Sequence, residues 1–145
     1  MKKALLIVSG LVIMLSLATA AADFKPYPGA KKDEQATKEA TEAAVEAKMP
    51  ELKIIIYTTP DPFPKVAAFY KALAREFVAP KTSGTSGQPV KFEDEGKSYD
   101  LWEASFIFDE AKDLEDSRLW VKVQRPYIGD EVRDVTVIIV TEKTK

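Results

Sequence analysis

The chain contains no cysteine, no histidine and no asparagine. Without cysteine there is no disulfide framework, thiolate nucleophile, iron–sulfur cluster or lipidated N-terminal cysteine. Without histidine there is no Ser-His-Asp triad, no imidazole ligand for zinc or haem, and no side chain that titrates near neutrality of its own accord. Without asparagine there is no acceptor for N-glycosylation. These gaps exclude the commonest routes to hydrolytic and metal-assisted catalysis, and no cofactor is expected. What is present, 46% hydrophobic and 30% charged residues among 145 with a formal net charge of −2, describes a globular chain rather than a disordered or polytopic one.

The first residues read as an export signal. Lys2 and Lys3 precede an apolar run from Ala4 to Leu17, and the small residues Ala18-Thr19-Ala20-Ala21-Ala22 follow, ahead of the first acid, Asp23. This is the pattern of a secretory signal peptide over 1–22, with cleavage after Ala20 or Ala22 and a periplasmic or secreted product. The competing reading is an uncleaved anchor, since residues 4–22 would extend roughly 28 Å as a helix. Removal of 1–22 takes away two of the 21 basic residues and none of the 23 acids, leaving a net charge of −4. An acidic chain without a basic block is a poor ligand for nucleic acid or anionic lipid.

Two regions follow the signal. Residues 23–50 hold a proline-rich linker, Phe24-Lys25-Pro26-Tyr27-Pro28-Gly29-Ala30, and then an Ala-rich helix over 33–48 with Ala36, Ala40, Ala43, Ala44 and Ala47 on one face. Residues 51–145 read as an α+β domain. Leu52 to Thr58 has strand composition. Asp61 is placed as an N-cap with Pro62 and Pro64 in the first helical turn, and Val66, Phe69, Tyr70, Leu73 and Phe77 form an amphipathic stripe that Pro80 closes. Thr82 to Gln88 is a connector with none of the features of a phosphate-binding loop. Val90 to Glu93 fits a short strand.

Longer strands are expected at Leu101 to Phe108, from Leu119 through Val123, and from Val135 through Ile139, with alternate residues sharing a face. The expected architecture is one long amphipathic helix on a mostly antiparallel sheet of four to five strands, preceded by the Ala-rich helix. The opposite sheet face, assigned Tyr57, Ile107, Trp120 and Ile138, is expected to lie under the Ala-rich helix, the alternative being an open platform.

Chemistry-bearing patterns are few. Asp109 to Asp116 packs five acids into eight residues but lacks the alternating calcium-loop spacing, so a solvated turn is expected and no metal site. The segment Trp120 to Asp130, with Arg133 across a turn, is the candidate ligand site: Arg125, Tyr127, Arg133 and Trp120. Two guanidiniums beside a phenol suit a small anionic ligand. The same residues would also serve as an Arg–Asp network with Asp130 and Asp134 that pins the turn.

The blocks Pro26 to Ala30, Tyr57 to Phe63, Lys65 to Lys71, Phe106 to Asp109 and Trp120 to Gly129 resemble those of an uncharacterised family of secreted bacterial proteins. That resemblance implies a compartment and no activity. The function expected is therefore a non-enzymatic binding or accessory module with a small ligand or an envelope protein as partner. The alternatives are a hydrolase using Tyr70, Tyr127 or a carboxylate of 109–116, and an envelope protein held by an uncleaved N-terminal helix. Expressed with its leader in a Gram-negative host, the protein should begin at Ala21 or Asp23 by intact mass. A product retaining Met1 in the membrane pellet would contradict export with cleavage.

Overall fold

The computed structural model describes residues 24–78 and 85–144. The signal segment 1–22 and residues 82–84 of the connector lie outside the described residues. In chain order the elements are β1 (Lys31–Lys32), α1 (Glu34–Glu46), β2 (Leu52–Thr59), α2 (Phe63–Lys71), β3 (Arg75–Phe77), β4 (Val90–Asp94), β5 (Lys97–Ile107), β6 (Leu119–Arg125), β7 (Tyr127–Ile128), β8 (Val132–Arg133) and β9 (Thr136–Lys143). Seven strands form one sheet in the order β1-β2-β9-β6-β5-β3, with β4 also on β5, while β7 and β8 form a separate two-stranded ribbon. Every pairing is antiparallel.

This corrects the expected single long helix on a four- to five-stranded sheet. Helix α2 spans nine residues and ends at Lys71. Leu73 is exposed, and Phe77, assigned to the helical stripe, lies in β3 opposite Ser105. The cause is the free edge of β5. Strand β5 has eleven residues; besides β6 it pairs with β4 at Lys97–Leu101 and with β3 at Ser105–Ile107. Backbone groups left unpaired at that edge would cost more than the helical propensity of Ala72-Leu73-Ala74 returns.

The two helices stand on opposite faces of the sheet. Phe63, Val66, Ala67 and Tyr70 of α2 pack on Ala104, Phe106, Val121, Val123, Ile138 and Val140. On the other face Ala36 and Ala40 of α1 pack with Ile54, Ile56, Val137 and Ile139. The Ala-rich helix thus covers the second face, as expected, over its β2–β9 half. The assignment of strands to faces needs correction: Tyr57 and Ile138 belong to the α2 side, whereas Ile107 and Trp120 stay opposite. Strands β2 and β9 are apolar on both faces, so alternation carries no parity there. Small residues let α1 sit close enough for Thr37 to accept from the Ile56 N–H at 3.0 Å, which blunts the β2 edge. Asp33 caps α1 through the Ala36 N–H at 3.0 Å.

The segment before β1 is irregular but anchored. Phe24 stacks on Tyr70 with ring centroids 6.0 Å apart, and the Tyr70 hydroxyl donates to the Lys25 carbonyl at 3.1 Å. A turn at Pro28-Gly29, closed by the Ala30 N–H to the Tyr27 carbonyl at 3.0 Å, places Gly29 at φ 85°. Proline and then glycine at the two central positions is what a type II turn requires. Tyr27 is thereby buried beside Phe69.

Removing the ring of Phe106, buried at the sheet centre, should cost about 3–5 kcal/mol in Phe106→Ala. Leu73→Ala, beyond the end of α2, should stay within about 1 kcal/mol. Matching urea midpoints for the two variants would contradict a helix that stops at Lys71.

Candidate functional site: an aromatic cleft beside a clamped turn

Asp61 does not cap α2. Pro62 occupies the N-cap position without a side-chain bond, and Phe63 and Pro64 open the helix. Asp61 instead accepts from the Tyr27 hydroxyl at 2.7 Å and pairs with Lys65 at 3.6 Å. Burial and the Asp61 carboxylate push the Tyr27 hydroxyl up to about 12. Proline at helix entry needs no capping partner for its missing N–H, which frees the aspartate to tie the N-terminal segment to the helix.

Arg125 holds the same turn from the sheet side. Its Nη1 donates to the carbonyls of Pro60 at 3.4 Å and Asp61 at 3.2 Å and to the Thr136 hydroxyl at 3.0 Å. Its Nη2 donates to the Asp134 carbonyl and pairs with the Asp134 carboxylate, each at 3.0 Å. The Thr136 hydroxyl in turn donates to the Asp61 carbonyl at 2.6 Å. Nη1 thus has three acceptors in the protein, and Nη2 has one hydrogen bond and one ion pair, both with Asp134. One guanidinium ties β6 to the turn before α2 and to the start of β9. This is the pinning network, with Asp134 as its acid; Asp130 takes no part.

The four residues singled out in the sequence do not converge. Arg133 crosses the ring of Tyr127 at 5.3 Å and pairs with Asp33 at 3.1 Å. These three line a cleft of about 410 Å³ with Glu39, Asp130 and Glu131, whose charge opposes an anion. The Ala36 N–H, against some burial and with help from Arg133, holds the Asp33 carboxyl below its usual range. Burial, then the nearby Asp33 and Glu39, push the Tyr127 hydroxyl up. Trp120 faces Ile107 across the β5–β6 pair and lines neither cleft.

The acids of 109–116 are not all idle. Asp109 accepts from the Ala111 N–H at 3.2 Å, the Ser117 hydroxyl at 3.0 Å and the Arg118 N–H at 2.6 Å, organising the β5–β6 connection. Burial opposes its ionisation, but these donors outweigh it and hold the carboxyl below its usual range. Among the described residues no group of three or more acids is arranged to hold a metal ion.

A largely apolar concavity lies where α2 begins, β5 is still emerging from its hairpin, and β6 ends. About 500 Å³ in volume, it is lined by Pro62, Phe63, Pro64, Tyr99, Asp100, Trp102, Arg125, Pro126, Val132 and Asp134. Trp102 and Phe63 meet at 5.6 Å between ring centroids, tilted by 35°. Trp102 is the register partner of Arg125, so the clamp that fixes the turn also fixes one wall of the cleft. The β4–β5 hairpin that carries Tyr99 and Asp100 turns at Glu95-Gly96, whose two positive φ values suit the twist of the two strands. A concave, mostly apolar site with a few polar groups at its margin is the usual form of a small-molecule pocket.

Sequence reasoning missed this cleft. Arg125 was singled out for an anion site and Pro62, Phe63 and Pro64 for a helix start, while nothing in the local pattern signalled that Tyr99 and Trp102 would join them; Phe63 itself stays buried in the core. Fold and site together define a three-layer α+β protein with an aromatic-lined cleft at one end of its sheet. No protein-family model, no curated protein and no solved structure matches the chain, so its functional reading stands on this geometry.

Arg125→Ala would leave the Pro60 and Asp61 carbonyls without their donor and should cost about 1–3 kcal/mol. The Asp134 ion pair adds little, because that carboxylate is 92% exposed. Phosphate titrated into the wild-type protein should leave the Arg125 and Tyr127 amide resonances unmoved. Large phosphate-induced shifts, with a variant of nearly unchanged stability, would restore the anion clamp.

Proposed function

We propose that this chain is an exported, non-enzymatic binding module that holds a small ligand in the cleft between Trp102, Phe63 and Tyr99. The observation that carries the reading is the cleft itself: aromatic and proline walls of small-molecule size, held open by a network that needs no ligand to form. A pocket formed in advance avoids the ordering cost that weakens binding to flexible sites.

Support for a non-catalytic role comes from the groups that would have to react. Tyr70 is fully buried, its hydroxyl occupied by the Lys25 carbonyl and its acidity suppressed by burial. Tyr127 is shifted away from neutrality rather than towards it. Asp109 is committed to holding its loop. None of the three borders the aromatic cleft. Export rests on the N-terminal pattern of residues 1–22 alone. Among the described residues no helix is long and apolar enough to cross a membrane.

The test is a map of amide shifts on titration with cyclohexanol, a small uncharged probe. Shifts should concentrate at Phe63, Tyr99 to Trp102 and Val132 to Asp134, with saturation in the millimolar range set by a probe of so few atoms (about 7). Shifts scattered over the surface, or none, would overturn the cleft as a binding site. Hydrolysis of p-nitrophenyl acetate that disappears in Tyr127→Phe would overturn the non-enzymatic reading.

A further inference from the structure

The aromatic cleft opens beside a second depression that shares Tyr99 and Val132 with it. That depression is walled by Asp94, Glu95, Asp130 and Glu131, with Lys97 as its one cation. The cleft's own lining carries two aspartates against a single arginine, and both Nη atoms of that arginine already contact protein acceptors. Asp100 faces solvent with its side chain 52% exposed, and only its Oδ1 is engaged, by Lys91. Aromatic faces and an excess of carboxylates therefore meet at one opening.

We infer that the ligand of this cleft is an organic cation: an ammonium-bearing compound whose apolar body lies against Trp102 and Phe63 while its charge faces Asp100 and the acidic depression. The inference rests on the cleft being a binding site, as proposed above, and adds the ligand's charge. Two physical effects favour it. The negative face of an indole or phenol ring attracts a cation placed over it, and more strongly in a partly desolvated site. Clustered carboxylates beside a low-dielectric wall raise the local concentration of cations and speed their arrival. An anion meets the opposite conditions, since the guanidinium of Arg125 is already engaged by the carbonyls of Pro60, Asp61 and Asp134 and by the Asp134 carboxylate. Of the other cations nearby, Lys91 is paired with Asp100, Lys97 is outnumbered by the four acids of the depression, and Arg133 is paired with Asp33 in a separate cleft.

Three probes of similar shape and different charge make the test: phenyltrimethylammonium, benzyl alcohol and benzenesulfonate, each titrated into the full-length mature protein and read by amide shifts at Tyr99 to Trp102. Phenyltrimethylammonium should bind about tenfold more tightly than benzyl alcohol, and benzenesulfonate most weakly. Asp100→Asn and Glu131→Gln should each weaken the cation about two- to fivefold, the range expected for one carboxylate or ring contact at a half-exposed site, and leave benzyl alcohol unchanged. Both substitutions fall on exposed side chains, so the fold is retained and its amide spectrum verifies this. Equal binding of the cation and the alcohol, or tighter binding of the sulfonate, would overturn the cation assignment while leaving the cleft intact as a site. Failure of all three probes to move these resonances would overturn both.

Discussion

Strand β9 lies between β2 and β6, and from Thr136 to Thr141 both of its faces are largely covered. Thr136, Val137, Ile138, Val140 and Thr141 are all buried. Ile138 and Val140 face the side on which α2 packs, and Val137 faces the side on which α1 packs. A strand in this position is stable only if both helices are in place, because stripping either one away exposes a row of β-branched side chains. Its hydrogen-bonding partners lie far apart in the chain, since Leu52 pairs with Lys143 and Leu119 with Glu142. The sheet therefore cannot close until nearly the whole chain is available, and much of its stability comes from non-local contacts.

Arg125 extends that dependence to the surface. It sits at the end of β6, next to β9, and its guanidinium gathers the turn before α2, the Thr136 hydroxyl and the loop at Asp134. Arginine suits this position because its planar head presents several donors at once in a fixed geometry. The consequence reaches the cleft directly. Phe63 and Pro64 follow the clamped turn, Trp102 pairs with Arg125, and Pro126 and Val132 flank it. One polar residue thus sets the relative position of apolar walls drawn from α2, β5 and the β7–β8 ribbon. A wall fixed by the fold needs no ligand to assemble it, which suits recognition by shape and charge.

The N-terminal strap does comparable work on the α2 side. Phe24 closes over Tyr70, Tyr27 reaches Asp61, and Asp33 joins the start of α1 to Arg133. These contacts tie a segment rich in proline to elements scattered over the sheet. Proline lowers the number of conformations the strap can lose on docking. The acidic character of the surface around Tyr99 and Val132 comes from the β4–β5 hairpin end, Asp94 and Glu95, and from the β7–β8 turn, Asp130 and Glu131.

Strand positions were legible because β-branched and aromatic residues cluster wherever the sheet runs: Leu52–Thr59, Val90–Asp94, Lys97–Ile107, Leu119–Arg125 and Thr136–Lys143 all fall where composition places them, within a few residues. The Ala-rich helix and its role as a cover were legible from the small size of its stripe. The length of α2 was not, because Leu73 and Phe77 continue a helical period while the open edge of β5 recruits the same residues as strand. The faces of β2 and β9 were not, because burial on both sides removes the alternation that would reveal them. The candidate site shows the limit most clearly. By itself the sequence determined which residue types were on hand, Arg125, Tyr127 and Arg133 within one short stretch. Only the tertiary structure decided that Arg125 would turn to the carbonyls of Pro60 and Asp61, that Arg133 would turn to Asp33, and that Trp102, Phe63 and Tyr99 would share a cleft. The physical reason is that a guanidinium goes to whichever acceptors the fold brings within reach, and a cleft is made by the gap between elements that local sequence cannot place.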